Sequence, residues 1–419
     1  MDEYLFYQEL EKEKAGKKMF KKGVLIGTLT TLFFGLTLVL VVGAAILLFP
    51  QISTAPSSVS NVNLEFDEKM EEIDEIIRRN FLFTDNIEEQ RLIEGMFSGY
   101  VDALGDPYTV YFDQETTRQL AESRTGSFFG IGANLIRNQE NGLVEIVSVF
   151  SDSPAEGAGL ASGDFIIQVD ERKVGDQDLT EVVSWIRGEE GTPVDLTVLR
   201  DGEELQFTVY RANIQITSVY FEMMEDNVGY IRVTAFDGGT GEQFREALET
   251  LEAEGMDGLI IDLRNNFGGN LDVVVAMARD FVPEGLIVSI EDSEGRVTEF
   301  NSNRGDVFDI PLVVLVNQNS ASASEIFAGA IQDHELGTIV GMTTFGKGLV
   351  QRIFTLSDGS SLKVTIAEYF TPSGRSIHEE GIVPDVEVEF DFGQEVDDPE
   401  DIVDNQLEKS IEVLMEKMR

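Results

Sequence analysis

From Val24 to Phe49 the chain runs without a charged residue, and the run ends at Pro50. A bilayer span takes about 20 apolar residues and a secretory core only about 7–15, so the pattern predicts an uncleaved transmembrane helix over 24–49. Lys12, Lys14, Lys17, Lys18, Lys21 and Lys22 precede it in a basic segment, 1–23, and acidic sequence follows. That asymmetry puts the N-terminus in the cytoplasm and the rest outside a cell membrane crossed once. Residues 50–62 are rich in Ser and Pro and read as a linker. Over 63–120 apolar residues recur at helical spacing, Phe66, Met70, Ile73 and Ile76 first, then Leu92, Ile93, Met96, Phe97 and Val101. GDPY at 105–108 supplies a turn that stops the helix. This helical region is expected to pack on a neighbour or on a second copy in a homodimer, and to carry no chemistry.

Beyond it the texture changes twice. Over 126–210 short strands alternate with glycine turns, among them FGIGANL at 129–135, GDFIIQVD at 163–170 and a hairpin around RDGEE at 200–204, with a turn into a short helix at 153–160 and a helix over 179–187. Over 214–390 strands and helices alternate. GLIIDL at 258–263 and PLVVLVN at 311–317 are continuous apolar runs, as strands covered on both faces require, so an α/β core is expected. Residues 391–419 form an acidic tail with a helix over 405–418.

Composition then narrows the chemistry. A formal charge of −46 excludes general nucleic-acid binding, which needs clustered Lys and Arg. Zero cysteines exclude disulfides and thiolate metal sites, and no cofactor or metal is implied. With two histidines, His334 and His378, neither in a nucleophile elbow, a serine served by a lysine is the hydrolytic arrangement most readily built. The candidates stand at the two strand ends, where α/β folds place their sites. NSASASEIF carries Ser320, Ser322 and Ser324 before a helix start; RNNFGG carries Gly268 and Gly269, whose N–H groups could face a substrate carbonyl; TFGKG carries Lys347 beside Phe345, an aromatic able to desolvate it. Serine is also a preferred N-cap, with Glu325 placed to complete a capping box, so all three serines have structural roles open to them. Asp262 and Arg264 read as a brace for the RNNFGG loop.

Two resemblances follow from these residues. Residues 126–210, through FGIGANL and SPAEGAGLASGDFIIQVD, resemble a PDZ domain, a small α+β barrel. This implies capture of a peptide's terminal carboxylate by Phe129, Gly130, Ile131 and Gly132. VNQNSASASEIFAGAIQD, VGMTTFGKGLVQ, DLRNNFGGNLD and YFTPSGRSIHEEGIVPDVEV resemble the carboxy-terminal processing peptidases, PDZ-bearing Ser-Lys serine endopeptidases of family S41 in their membrane-anchored bacterial type. The resemblance implies a ClpP/crotonase-like mixed-sheet core with the PDZ domain inserted in it or preceding it. It makes Ser322 the nucleophile, Lys347 its base twenty-five positions later, Gln351 the support of that lysine, and the N–H groups of Ala323 and Gly268 the oxyanion hole. It also implies unfolded or extracytoplasmic proteins with free C-termini as substrates. Arg187, in RGEEGT, is a candidate link between PDZ domain and active site. Met342 departs from the family's VGExTFGKG pattern. An inert, membrane-tethered PDZ peptide-binding protein is the alternative.

Overall fold

The computed structural model describes residues 59–139, 141–305, 307–391 and 403–419, in two units, 1–88 and 89–419. In the first, helix α1 (Val59–Asn80) leaves Phe66, Ile73 and Ile76 exposed. The expectation of a single-pass membrane protein with an extracytoplasmic catalytic region is corrected here. Among the described residues no helix is long and apolar enough to cross a membrane, and the 24–49 stretch that suggested one lies outside them.

The second unit opens with α2 (Glu89–Asp102), β1 (Val110–Phe112) and α3 (Gln114–Thr125). A β-rich module follows: β2 (Ser127–Gly130), β3 (Ala133–Arg137), β4 (Val144–Val149), α4 (Pro154–Ala158), β5 (Phe165–Val169), β6 (Arg172–Lys173), α5 (Leu179–Ile186), β7 (Pro193–Arg200), β8 (Glu203–Tyr210) and β9 (Ala212–Gln215). The remainder comprises β10 (Val219–Met223), β11 (Val228–Val233), α6 (Thr240–Glu254), β12 (Gly258–Asp262), α7 (Leu271–Ala278), β13 (Gly285–Asp292), β14 (Val297–Ser302), β15 (Leu312–Val316), α8 (Ala323–Asp333), β16 (Thr338–Gly341), β17 (Leu349–Thr355), β18 (Ser361–Phe370), β19 (Val386–Glu387) and α9 (Asn405–Lys417).

Strands β12 and β15 are buried at every position, as their apolar runs require. They are central in a sheet ordered β10-β11-β12-β15-β16-β19, parallel except for β10. Successive strand residues face opposite ways. Leu259, Ile261, Val314 and Val316 pack with Phe244, Leu248, Val274 and Phe327 of α6, α7 and α8, while Ile260, Val313 and Leu315 pack with Leu407, Ile411 and Leu414 of α9. The helix of the acidic tail therefore covers the second face of the central sheet.

A second sheet, β1-β18-β13-β14 with β17 on β18, is antiparallel and carries the strand that follows Lys347. Because β1 precedes the β-rich module and its partner β18 follows it, the module is an insertion in the core. It folds as β3-β4-β5-β7-β8 around Val144, Ile146, Ile166, Val182, Ile186 and Leu196. Its first and last strands, β2 and β9, pair with each other.

Candidate active site

The two strand ends meet. Beyond β15 the chain turns into α8 through Ser322, whose φ of 56° and ψ of −111° are left-handed for a residue with a side chain. Such a conformation costs about 1–3 kcal/mol and persists only where neighbours over-determine it. Here they do. Ser320 Oγ donates to Leu263 O at 2.8 Å, Ser324 Oγ to Asn266 O at 2.8 Å, and Ala321 N to Asn266 O at 3.0 Å. These bonds sew the serine turn to the loop after β12 and commit the two buried hydroxyls of the three, those of Ser320 and Ser324, to structure. Ser322 alone is left without such a bond to the loop.

Glu325, fully buried, accepts from Ser322 N at 2.8 Å, as the capping expectation had it. It also accepts from Thr344 Oγ1 at 2.6 Å, Gly346 N at 2.7 Å and Lys347 N at 2.9 Å. One carboxylate thus clamps the serine turn and the FGKG turn together, and four donors compensate its burial.

Gly268 lies against Ser322. A Cβ there would meet Ala321 O at 2.6 Å, Ser322 Cβ at 2.8 Å and Ala323 N at 2.9 Å, and its φ of 99° also requires glycine. Its N–H, however, donates to Asn266 Oδ1 at 2.9 Å, so in this arrangement it is committed to the loop itself. The Ala323 N–H has no acceptor among the described residues. Asn266, completely buried, holds the loop further by donating to Val233 O at 2.9 Å.

Lys347 is more than half withdrawn from water. Burial first, and Lys363 second, hold its amine below the usual lysine pKa, with Glu325 and Asp106 acting the other way. The aromatic over it is not Phe345, which is 55% exposed. It is Tyr108 of the GDPY turn, with Nζ 4.9 Å from the ring centroid. Nζ makes no hydrogen bond among the described residues, to Ser322 or to Gln351. The Gln351 amide instead reaches Thr365 Oγ1 at 3.5 Å. Tyr369, buried, donates its hydroxyl to Lys347 O, and burial raises its pKa well above normal while the Ser322 side chain beside it acts oppositely. His334 caps the far end of α8, bound to Leu286 O at 2.7 Å, and His378 packs on Gly348. Neither bonds Ser322.

The Asp262–Arg264 brace is buried and larger than a pair. Arg264 donates to Asp262 Oδ2 at 2.7 Å, Asp404 Oδ2 at 2.7 Å and Gln406 Oε1 at 3.2 Å, tying the RNNFGG loop to the start of α9.

The model of peptidase family S41 matches residues 227–388, and that of the CtpB (activating protease) N-terminal domain matches residues 49–116. Carboxy-terminal processing protease CtpA of Bacillus subtilis is 35% identical over 364 residues, covering 86% of this chain and 77% of that one. CtpB of the same species is 35% identical over 348 residues, 81% and 72% of the two chains. The carboxy-terminal-processing protease of Bartonella bacilliformis is 38% identical over 310 residues, 72% and 70%. The chain belongs to the carboxy-terminal processing proteases. It is a serine endopeptidase acting on protein or peptide substrates.

This carboxy-terminal processing protease carries a PDZ domain, matched over 129–210. Its β3 is the outer strand of the module's sheet, leaving an edge free beside α5. Phe129 and Gly130 pair with Asn213 and Ala212 in β9, whereas the N–H groups of Ile131 and Gly132 have no acceptor among the described residues. Arg187, at the end of α5, is distant from Ser322 in contacts: it pairs with Glu122 of α3 and lies 5.2 Å over the Phe128 ring. A cleft of about 420 Å³ runs between α3 and α5 there.

Reading the sequence missed Asn266, Tyr108 and Asp404. Asn266 stood inside a motif already singled out; Tyr108 comes from a segment read as free of chemistry, and Asp404 from a tail read only as acidic.

Proposed function

We propose that this protease cleaves peptide bonds by acyl transfer from Ser322, with neutral Lys347 as base, after its PDZ domain has captured a free C-terminus. One observation carries the reading. The backbones of Ser322 and Lys347 are bound to the same buried carboxylate, Glu325, while the lysine amine is withdrawn from water and unbonded. An amine so held loses its proton at lower pH than a free lysine.

Lys347 Nζ takes the Ser322 proton as Oγ bonds to the substrate carbonyl carbon. The oxyanion is met by the Ala323 N–H and by Gly268 once its N–H leaves Asn266 Oδ1. Collapse breaks the C–N bond, and the ammonium gives its proton to the leaving amine. Water, deprotonated by Lys347, then attacks the ester, and Oγ recovers its proton. Gln351, two residues into β17, would turn from Thr365 to support the neutral amine. The ends of the peptide are read apart from the chemistry: a tail adds to the free edge of β3 and its carboxylate meets the N–H groups at Ile131 and Gly132, just beyond the end of β2 at Phe129 and Gly130. Arg187 would report that event through Glu122 to α3. The exposed Leu92, Ile93 and Met96 on one face of α2 support pairing with a second copy of the chain.

Ser322→Ala and Lys347→Ala are each expected to abolish cleavage of β-casein while tail-peptide binding persists. Turnover surviving in either variant would overturn the dyad, and tail binding without any cleavage by the wild type would leave an inert tail-binding protein as the better description.

A further inference from the structure

The GDPY turn is fixed to the core more firmly than a helix stop needs. Asp106 accepts from Tyr108 N at 3.0 Å and from Thr109 Oγ1 at 2.6 Å, and Thr365 N of β18 donates to Thr109 Oγ1 at 3.1 Å. Immediately afterwards β1 pairs with β18, Val110 opposite Lys363. The turn is thereby held against the strand that also binds Gln351, and the Tyr108 ring is set over Lys347 Nζ at 4.9 Å. The Tyr108 hydroxyl has no hydrogen-bond partner among the described residues, so the ring face is what the lysine meets.

A ring face attracts an ammonium and is indifferent to a neutral amine. We propose that Tyr108 is a positioning residue that holds the ammonium form of Lys347 off the Ser322 hydroxyl and releases it on deprotonation. The charged and titratable groups around the amine are Lys363 and Tyr369 of β18, Glu325 of α8 and Asp106 of the same turn. None of them replaces the ring, because none makes a hydrogen bond to Nζ. The proposal rests on Lys347 being the base, and it gives the inserted PDZ domain a neighbour with reach: α3, which bears Glu122, starts directly after β1.

The test follows the rate at which a fluorophosphonate labels Ser322 in the full-length protein, as a function of pH. Tyr108→Phe keeps the face and is expected to match wild type. Tyr108→Leu keeps apolar cover without the face. Its acidic limb is expected to move down by roughly half to one pH unit, with labelling below the limb about three- to tenfold faster. Tyr108→Trp, with a stronger face, is expected to move the limb upward, and it carries the test should the leucine variant not fold. Coincident profiles for the Leu, Phe and Trp variants would overturn the proposal. Lys347→Ala in the same assay separates the two ideas: loss of labelling there with coincident Tyr108 variants sinks only the positioning role, whereas retained labelling with an unmoved limb sinks the dyad.

Discussion

Three serines stand at alternate positions, yet the fold separates them by what each hydroxyl is already bound to. Ser320 and Ser324 are buried donors to the loop after β12, so replacing either with Ala is expected to lower stability by about 1–2 kcal/mol, read as a fall in melting temperature. Ser322→Ala is expected to leave the melt unchanged and remove activity. Lys347 behaves oppositely. A half-buried amine without a hydrogen bond is a liability to the fold, so Lys347→Met is expected to abolish cleavage and raise the melting temperature. The pH dependence has a definite sign. As the proposed base, Lys347 must be neutral, so activity is expected to appear as pH rises through a pKa below the ordinary lysine value of about 10.4. Stability moves the same way: across the interval between the folded and unfolded pKa the unfolded chain binds the proton more, and folding gains as pH rises. Loss of part of that alkaline gain in Lys347→Met, followed by thermal melts, would check it. The proposed serine and lysine could be singled out because each sits in a distinctive short motif. Tyr108 was not, since its partner is far along the chain and nothing local distinguishes a turn tyrosine from one that covers an amine.

Among the elements, α9 is held by packing on the central sheet and by Arg264 at its start. Its residues Leu407, Ile411 and Leu414 recur at helical spacing, which made a helix legible. What it covers was hidden, because the acidic residues around it dominate the composition and the uncovered sheet face is a property of β12, β15 and β16 together. Leu414 is fully buried, and Leu414→Ala is expected to cost about 2–5 kcal/mol. Asp404 both caps α9, accepting from Leu407 N at 3.0 Å, and holds Arg264. Asp404→Asn keeps the cap but not the charge. It is expected to lower kcat more than it lowers the melting temperature, since Arg264 then braces the RNNFGG loop from one side only. An equal loss in both would make the contact purely structural. The buried runs at 258–263 and 311–317 were correctly strands for a simple reason: a strand covered on both faces needs apolar residues at every position, and runs this short do not make a buried helix.

For the whole chain, a charge of −46 sets a background repulsion that salt relieves, so the melting temperature is expected to rise between about 10 and 150 mM ionic strength. The PDZ domain leaves and rejoins the core through β2 and β9, which pair with each other and close against α3 where Ile216 N donates to Gly126 O at 2.8 Å. A module hung on a single thread would swing freely and tell the core little about what it holds. One suspended from a two-stranded ribbon can only bend or twist about it, and such a ribbon on its own is marginally stable. A peptide that grips the domain therefore loads the ribbon directly, and the ribbon ends on the helix that begins two residues after β1, the short strand that follows the Tyr108 turn.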